Sequence, residues 1–126
     1  MNDLENHVLA YYAAGHAKDL VINPRWYPYG ELVLVLEDKM TVAVRKFGRK
    51  ARSACKGAAT AFLDGMIAKG AWDTKENEFG GRMHQFNADA FKKALGDLAA
   101  SDPVARKAAA EGDGYWETAF EKLTSS

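Results

Sequence analysis

The chain has 126 residues and a mass of 13.8 kDa, with 48% apolar and 27% charged residues. These values exclude a disordered tail, a fibrous repeat and a disulfide scaffold, and they predict a single α+β domain over residues 1–126. Seventeen basic and seventeen acidic residues give a formal net charge of zero, so a whole-protein field that attracts nucleic acid is not expected.

The chain start has the pattern of a capped helix. Asn2 with Glu5 three positions later fits a capping box, and Leu4 and Val8 recur at helical spacing, so a helix is predicted to about Gly15. This start is acidic and polar, unlike a signal peptide, and no apolar run approaches the length of a membrane span. We therefore expect a cytoplasmic protein with no membrane contact.

Residues 23–47 are interpreted as a loop followed by two strands. Residues 23–30 contain two prolines, which disfavour a helix and predict an ordered aromatic loop. Residues 31–37 and 40–47 are rich in Val and Leu and flank the short polar pair Asp38-Lys39, so they predict a β-hairpin. Apolar residues on both faces of the first strand predict that it is central in a sheet.

Residues 49–69 make the clearest helix of the sequence, because apolar residues recur without interruption at spacings of three and four. The stripe comprises Ala51, Ala54, Cys55, Ala58, Ala59, Phe62, Leu63, Met66 and Ile67. Gly70 is the predicted terminator. Residues 71–73 and 82–86 are predicted to pair as a second hairpin.

Three helices are predicted in the remaining sequence. Asn87 caps a helix to about Ala100, and a second helix runs over residues 102–111 with Asp-Pro at its start. The last helix begins at Asp113. The predicted architecture is thus a single α+β domain with antiparallel hairpins packed against four to five helices, and not a nucleotide-binding parallel sheet.

The charges are separated along the chain. Residues 39–63 carry a net charge of +7, whereas the segments before and after them carry −4 and −3. The basic residues concentrate around the predicted start of the 49–69 helix, and the candidate anion-binding residues are Arg45, Arg49, Lys50, Arg52 and Lys56.

This position matters because the N-terminus of a helix carries a partial positive charge and prefers acidic neighbours. Cations placed there oppose the dipole, and an anion docked at that end meets backbone N–H groups and side-chain cations together. The sequence therefore predicts a face for nucleic acid or for an acidic protein surface, as in an accessory or inhibitor protein. The alternative is a solvated helix face paired with acidic segments of the same chain.

The aromatic loop carries a second candidate contact set, which consists of Arg25, Trp26, Tyr27 and Tyr29. Rigid aromatic rings beside an arginine stack on bases or anchor a protein partner. The alternative is a lid over the core, since large aromatic rings are usually mostly buried.

No motif in the sequence specifies a cofactor, a metal site or a nucleophile, so no catalytic residue is assigned. Cys55 lies within an apolar stripe, which predicts a buried structural thiol. His84 follows Asp73, Glu76 and Glu78, so a hairpin that places one of these acids beside its ring is the basis of an alternative, a small enzyme with an acid/base site.

The last helix carries a strongly apolar stripe that includes Tyr115, Trp116, Phe120 and Leu123. Packing onto the core is the first interpretation. A homodimer or a homo-oligomeric structural protein built through this helix is the alternative. The leading hypothesis is a non-catalytic interaction module for an anionic partner.

Overall fold

A computed structural model of the chain describes residues 3–16, 20 and 22–125. Within that range the fold is α+β, as predicted, with six α-helices where the sequence indicated four to five. The elements are α1 (Asp3–Ala13), β1 (Trp26–Pro28), α2 (Tyr29–Val44), α3 (Arg49–Ala68), β2 (Trp72–Glu76), β3 (Arg82–Phe86), α4 (Ala88–Ser101), α5 (Pro103–Glu111) and α6 (Asp113–Thr124), with a 3-10 helix, Arg45–Phe47, between α2 and α3.

The predicted hairpin over residues 31–47 is wrong, because this segment forms α2 and the 3-10 helix that follows it. Leu32, Leu36, Met40 and Val44 repeat every four residues and are all fully buried, with α2 packed along α3. Leu34, which a strand would place on the same face as Leu32 and Leu36, is 66% exposed. The apolar residues fit both the alternation of a strand and the spacing of a helix, and packing against α3 selected the helix.

The predicted aromatic loop is only partly correct. Residues 26–28 of this segment form β1, and the helix α2 already begins at Tyr29. Pro28 lies immediately before the helix with an extended backbone, φ −60° and ψ 149°. A proline is tolerated at this position because β1 is an edge strand.

The second predicted hairpin is confirmed. It forms β2 and β3, and β1 joins on the other side to give an antiparallel sheet in the order β1-β3-β2. His84 therefore lies on the central strand, opposite Tyr27 of β1 and Thr74 of β2. This register places the three side chains on one face of the sheet.

The predicted helix over residues 49–69 is confirmed as α3, and eight residues of its apolar stripe are buried, with Ile67 partly buried. The predicted caps of the later helices are also confirmed. The Asn87 side chain accepts a hydrogen bond from the Ala90 N–H, and the Asp102 side chain accepts from Val104 and Ala105. The other predicted cap, Asn2, lies outside the described residues.

Helix α1 lies in the centre of the helical layer and contacts α3, α4, α5 and α6. Its fully buried Tyr12 donates a hydrogen bond from its hydroxyl to the carbonyl oxygen of Met40, 3.1 Å away. Trp116 and Phe120 of α6 are buried against the same helix, in ring contact with Tyr11. The chain itself thus buries Trp116 and Phe120 of the apolar stripe of the last helix, whereas Tyr115 and Leu123 are half-buried.

Candidate functional site

The connection between α2 and α3 brings the predicted anion-binding residues to one end of a helical hairpin. The chain leaves α2 through the 3-10 helix and then turns at Gly48, whose φ of 101° is one that side-chain-bearing residues rarely adopt. Helix α3 begins at the next residue. We call this end the basic corner, and it comprises Arg45, Arg49, Lys50, Arg52 and Lys56.

All five side chains of the basic corner are exposed. Four of them have no acidic side chain within salt-bridge distance in the part of the chain that the structure describes: Arg45, Arg49, Arg52 and Lys56. The first turn of α3 contains no acidic residue, and Gly48 provides no side-chain cap for the first N–H groups. The cations therefore lie at a helix start that Gly48 does not cap, and the positive end of the helix dipole there favours a bound anion.

The aromatic contact set lies elsewhere and is mostly used within the fold. Tyr27 is buried, and the Arg25 guanidinium stacks on its ring at 3.9 Å while also pairing with Glu31. Trp26 is half-buried, with the Lys75 ammonium 4.3 Å from its ring centroid. This arrangement fits the alternative interpretation, a lid over the core, better than it fits a row of exposed rings that contact a partner.

The hydrogen bond of Tyr29 shows how far the aromatic contact set lies from the basic corner. The Tyr29 hydroxyl donates a hydrogen bond to Asp64 Oδ1 at 2.6 Å, so the start of α2 lies beside the end of α3. Asp64 is fifteen residues after Arg49, which corresponds to about 22 Å along the helix. The structure thus keeps the basic corner and the aromatic segment at opposite ends of the α2–α3 hairpin, and the two do not form one mixed surface.

The prediction that Cys55 is a buried thiol is confirmed. It is fully buried, and its Sγ donates to the Ala51 carbonyl oxygen at 3.5 Å. Burial raises the pKa of the thiol to about 11, which keeps it protonated at neutral pH and removes the thiolate that a nucleophile requires.

His84 lines a cleft of about 380 Å³ with Tyr29, Asp64, Ile67, Ala68 and Arg82. The ring is buried, and Thr74 Oγ1 lies 3.0 Å from its Nδ1. Thr74 is the only hydrogen-bond partner of the ring among the described residues, so none of the acids named in the sequence prediction pairs with it. Burial, and then the nearby Arg82, lower the pKa of His84 and favour the neutral ring at pH 7.

Sequence reasoning missed the Tyr29–Asp64 hydrogen bond and the other walls of this cleft. The two residues are separated by 35 positions, and nothing in the local pattern relates them. Arg82 carried a usable signal, because alternate residues of a strand share one face and Arg82 precedes His84 by two.

Family models, curated proteins and solved structures were all compared with this chain, and none of them matches it. Among the described residues, no group of three or more His, Cys, Asp or Glu is arranged to hold a metal ion. The described helices include none with the length and apolar character needed to cross a membrane.

Proposed function

We propose that the protein is a non-catalytic interaction module that binds an anionic partner through the basic corner. The observation that carries the proposal is the exposure of five cations at one helix start, four of which have no acidic neighbour within salt-bridge distance in the described residues. Surface cations that serve only solubility are usually interspersed with acids. Here residues 39–63 contain no acid at all.

The anionic partner is a nucleic acid or an acidic face of another protein. The cations from Arg49 to Lys56 extend over about 10 Å of α3, which is long enough to contact more than one charged group of a partner. Because the aromatic segment lies at the far end of α3, recognition at the basic corner depends on charge and backbone N–H groups, without base stacking.

The test is a binding titration with labelled duplex DNA, single-stranded RNA and poly-glutamate at about 50 and about 200 mM salt. The test variant combines Arg49→Ala, Arg52→Ala and Lys56→Ala. A matched control, Lys92→Ala with Lys93→Ala and Arg106→Ala, removes the same charge from exposed positions on α4 and α5.

We expect binding that weakens with salt, and a slope of log affinity against log salt for duplex DNA that falls by two to three in the test variant, at about 0.9 per lost phosphate contact. The control variant should keep the wild-type slope. Binding of poly-glutamate without binding of either nucleic acid assigns the partner to proteins. The proposal is refuted if no polyanion binds, or if the two variants behave alike.

A further inference from the structure

The His84 cleft lies where three elements meet, at the end of the α2–α3 hairpin away from the basic corner. The start of α2 contributes Tyr29, the end of α3 contributes Asp64, and the central strand β3 contributes Arg82 and His84. Its volume of about 380 Å³ is within the range of sites for small molecules.

His84 is a buried residue that forms part of the lining of this cleft. The residue is only 2% exposed, and its Nδ1 is occupied by Thr74. Nε2 has no hydrogen-bond partner among the described residues. The atom is not completely buried, so it retains contact with solvent. Because Thr74 occupies Nδ1, Nε2 is the ring nitrogen left for a molecule bound in the cleft.

Two opposite charges stand on the walls of the same cleft without neutralising each other. Asp64 uses Oδ1 to accept from Tyr29, and its Oδ2 has no partner among the described residues. Arg82 is exposed and has no acidic side chain within salt-bridge distance in the described ranges, Asp64 included. Three groups around one cleft thus keep unused hydrogen-bonding capacity.

We propose that this cleft is a binding site for a small zwitterion, a molecule that carries both an ammonium group and a carboxylate or phosphate. The ammonium group donates to Asp64 Oδ2, and the anionic group accepts from the Arg82 guanidinium. His84 Nε2 makes a further hydrogen bond, while Ile67 and Ala68 contact the aliphatic part. A simple anion would be repelled by Asp64 and a simple cation by Arg82, so only a ligand with both charges satisfies both walls.

The ionisation of the lining supports this assignment. The hydrogen bond to Asp64, followed by burial, raises the pKa of Tyr29, so its hydroxyl stays a donor and holds the carboxylate in place. Burial and Arg82 lower the pKa of His84, so the ring does not add a positive charge at pH 7. The formal charge of the lining is therefore zero, which matches a ligand of no net charge.

The test is an NMR titration of the full chain with pools of the amino acids that carry no net charge and with glycerophosphoethanolamine, whose phosphodiester carries one negative charge against one ammonium group. Acetate and methylammonium, which carry one charge each, serve as the matched probes. We expect the zwitterions to shift the amide signals of residues 64–68 and 82–84 and the ring signals of His84. The one-charge probes should need at least tenfold higher concentrations.

Asp64→Asn removes one charge at nearly constant side-chain size, and Arg82→Gln removes one charge with a shorter polar side chain. Each should weaken zwitterion binding about tenfold or more. Asp97→Asn and Lys93→Gln, at exposed positions on α4, should leave it unchanged. The proposal is overturned if no probe shifts these signals at millimolar concentration, if acetate or methylammonium binds as well as the zwitterions, or if the cleft variants bind like the control variants. None of these outcomes depends on the basic corner.

Discussion

Replacing Lys39 by glycine tests the assignment of residues 29–44 to one helix, which is the largest departure of the fold from the sequence prediction. Lys39 lies in the interior of α2 and is half-buried. Lys39→Gly removes packing and also lowers helix propensity, so it must be compared with Lys39→Ala, which removes the same atoms beyond Cβ. The difference between the two variants isolates the backbone effect.

If residues 29–44 are helical, the glycine variant should be less stable than the alanine variant by about 1 kcal/mol. For a chain of this size, that difference corresponds to a decrease of roughly 3–5 °C in melting temperature. A hairpin predicts the opposite order, because Asp38 followed by glycine is a favoured pair for a two-residue turn.

The measurement is urea-induced unfolding followed by far-ultraviolet circular dichroism, with the slopes compared to confirm that both variants unfold alike. A glycine variant as stable as the alanine variant, or more stable, would refute the helical assignment and restore the hairpin.

Three further predictions concern buried polar groups. Because burial raises the pKa of Cys55 to about 11, Ellman's reagent should label the native thiol far more slowly than the urea-unfolded one, and equal rates would contradict its burial. The pKa of His84 is lowered on folding from the ordinary value of 6.5, so the unfolded chain binds this proton more tightly. The contribution of the neutral His84 ring to stability is complete above the ordinary pKa and is lost as the pH falls through the lowered value. Between about pH 7 and pH 5, the His84→Gln variant should therefore lose less unfolding free energy than the wild type. Parallel losses in the two proteins would argue against this linkage. Tyr12→Phe removes the buried hydrogen bond to Met40 and should cost about 1 kcal/mol by urea unfolding, whereas an unchanged midpoint would show that the bond contributes nothing net.

The two proposed sites lie at opposite ends of the α2–α3 hairpin, so their variants can be interpreted independently. Arg49 and Asp64 are about 22 Å apart along α3. Sites separated by more than about 10 Å and without shared partners usually respond additively to substitution. A variant of the basic corner should therefore leave zwitterion binding in the cleft unchanged, and a cleft variant should leave polyanion binding unchanged.

The sequence alone determined those elements that are marked by an unambiguous apolar period or by a local capping residue. Helix α3 has an apolar stripe that fits only a helix, and Asn87 and Asp102 mark the starts of α4 and α5 by local hydrogen bonds. The exposure of Arg49, Arg52 and Lys56 was also predictable, because they fall in a sector of α3 that lies away from most of its apolar stripe. Each of these inferences depends on residues within a few positions of one another.

Tertiary structure decided whatever depended on distant residues. Residues 31–47 fit a strand pair and a helix equally well by composition, and burial of Leu36 and Met40 against α3 selected the helix. The His84 cleft has walls from three elements, and the hydrogen bond between Tyr29 and Asp64 spans 35 positions. Local patterns report propensity and periodicity, whereas such contacts depend on how the elements pack, so only the folded chain brings these groups together.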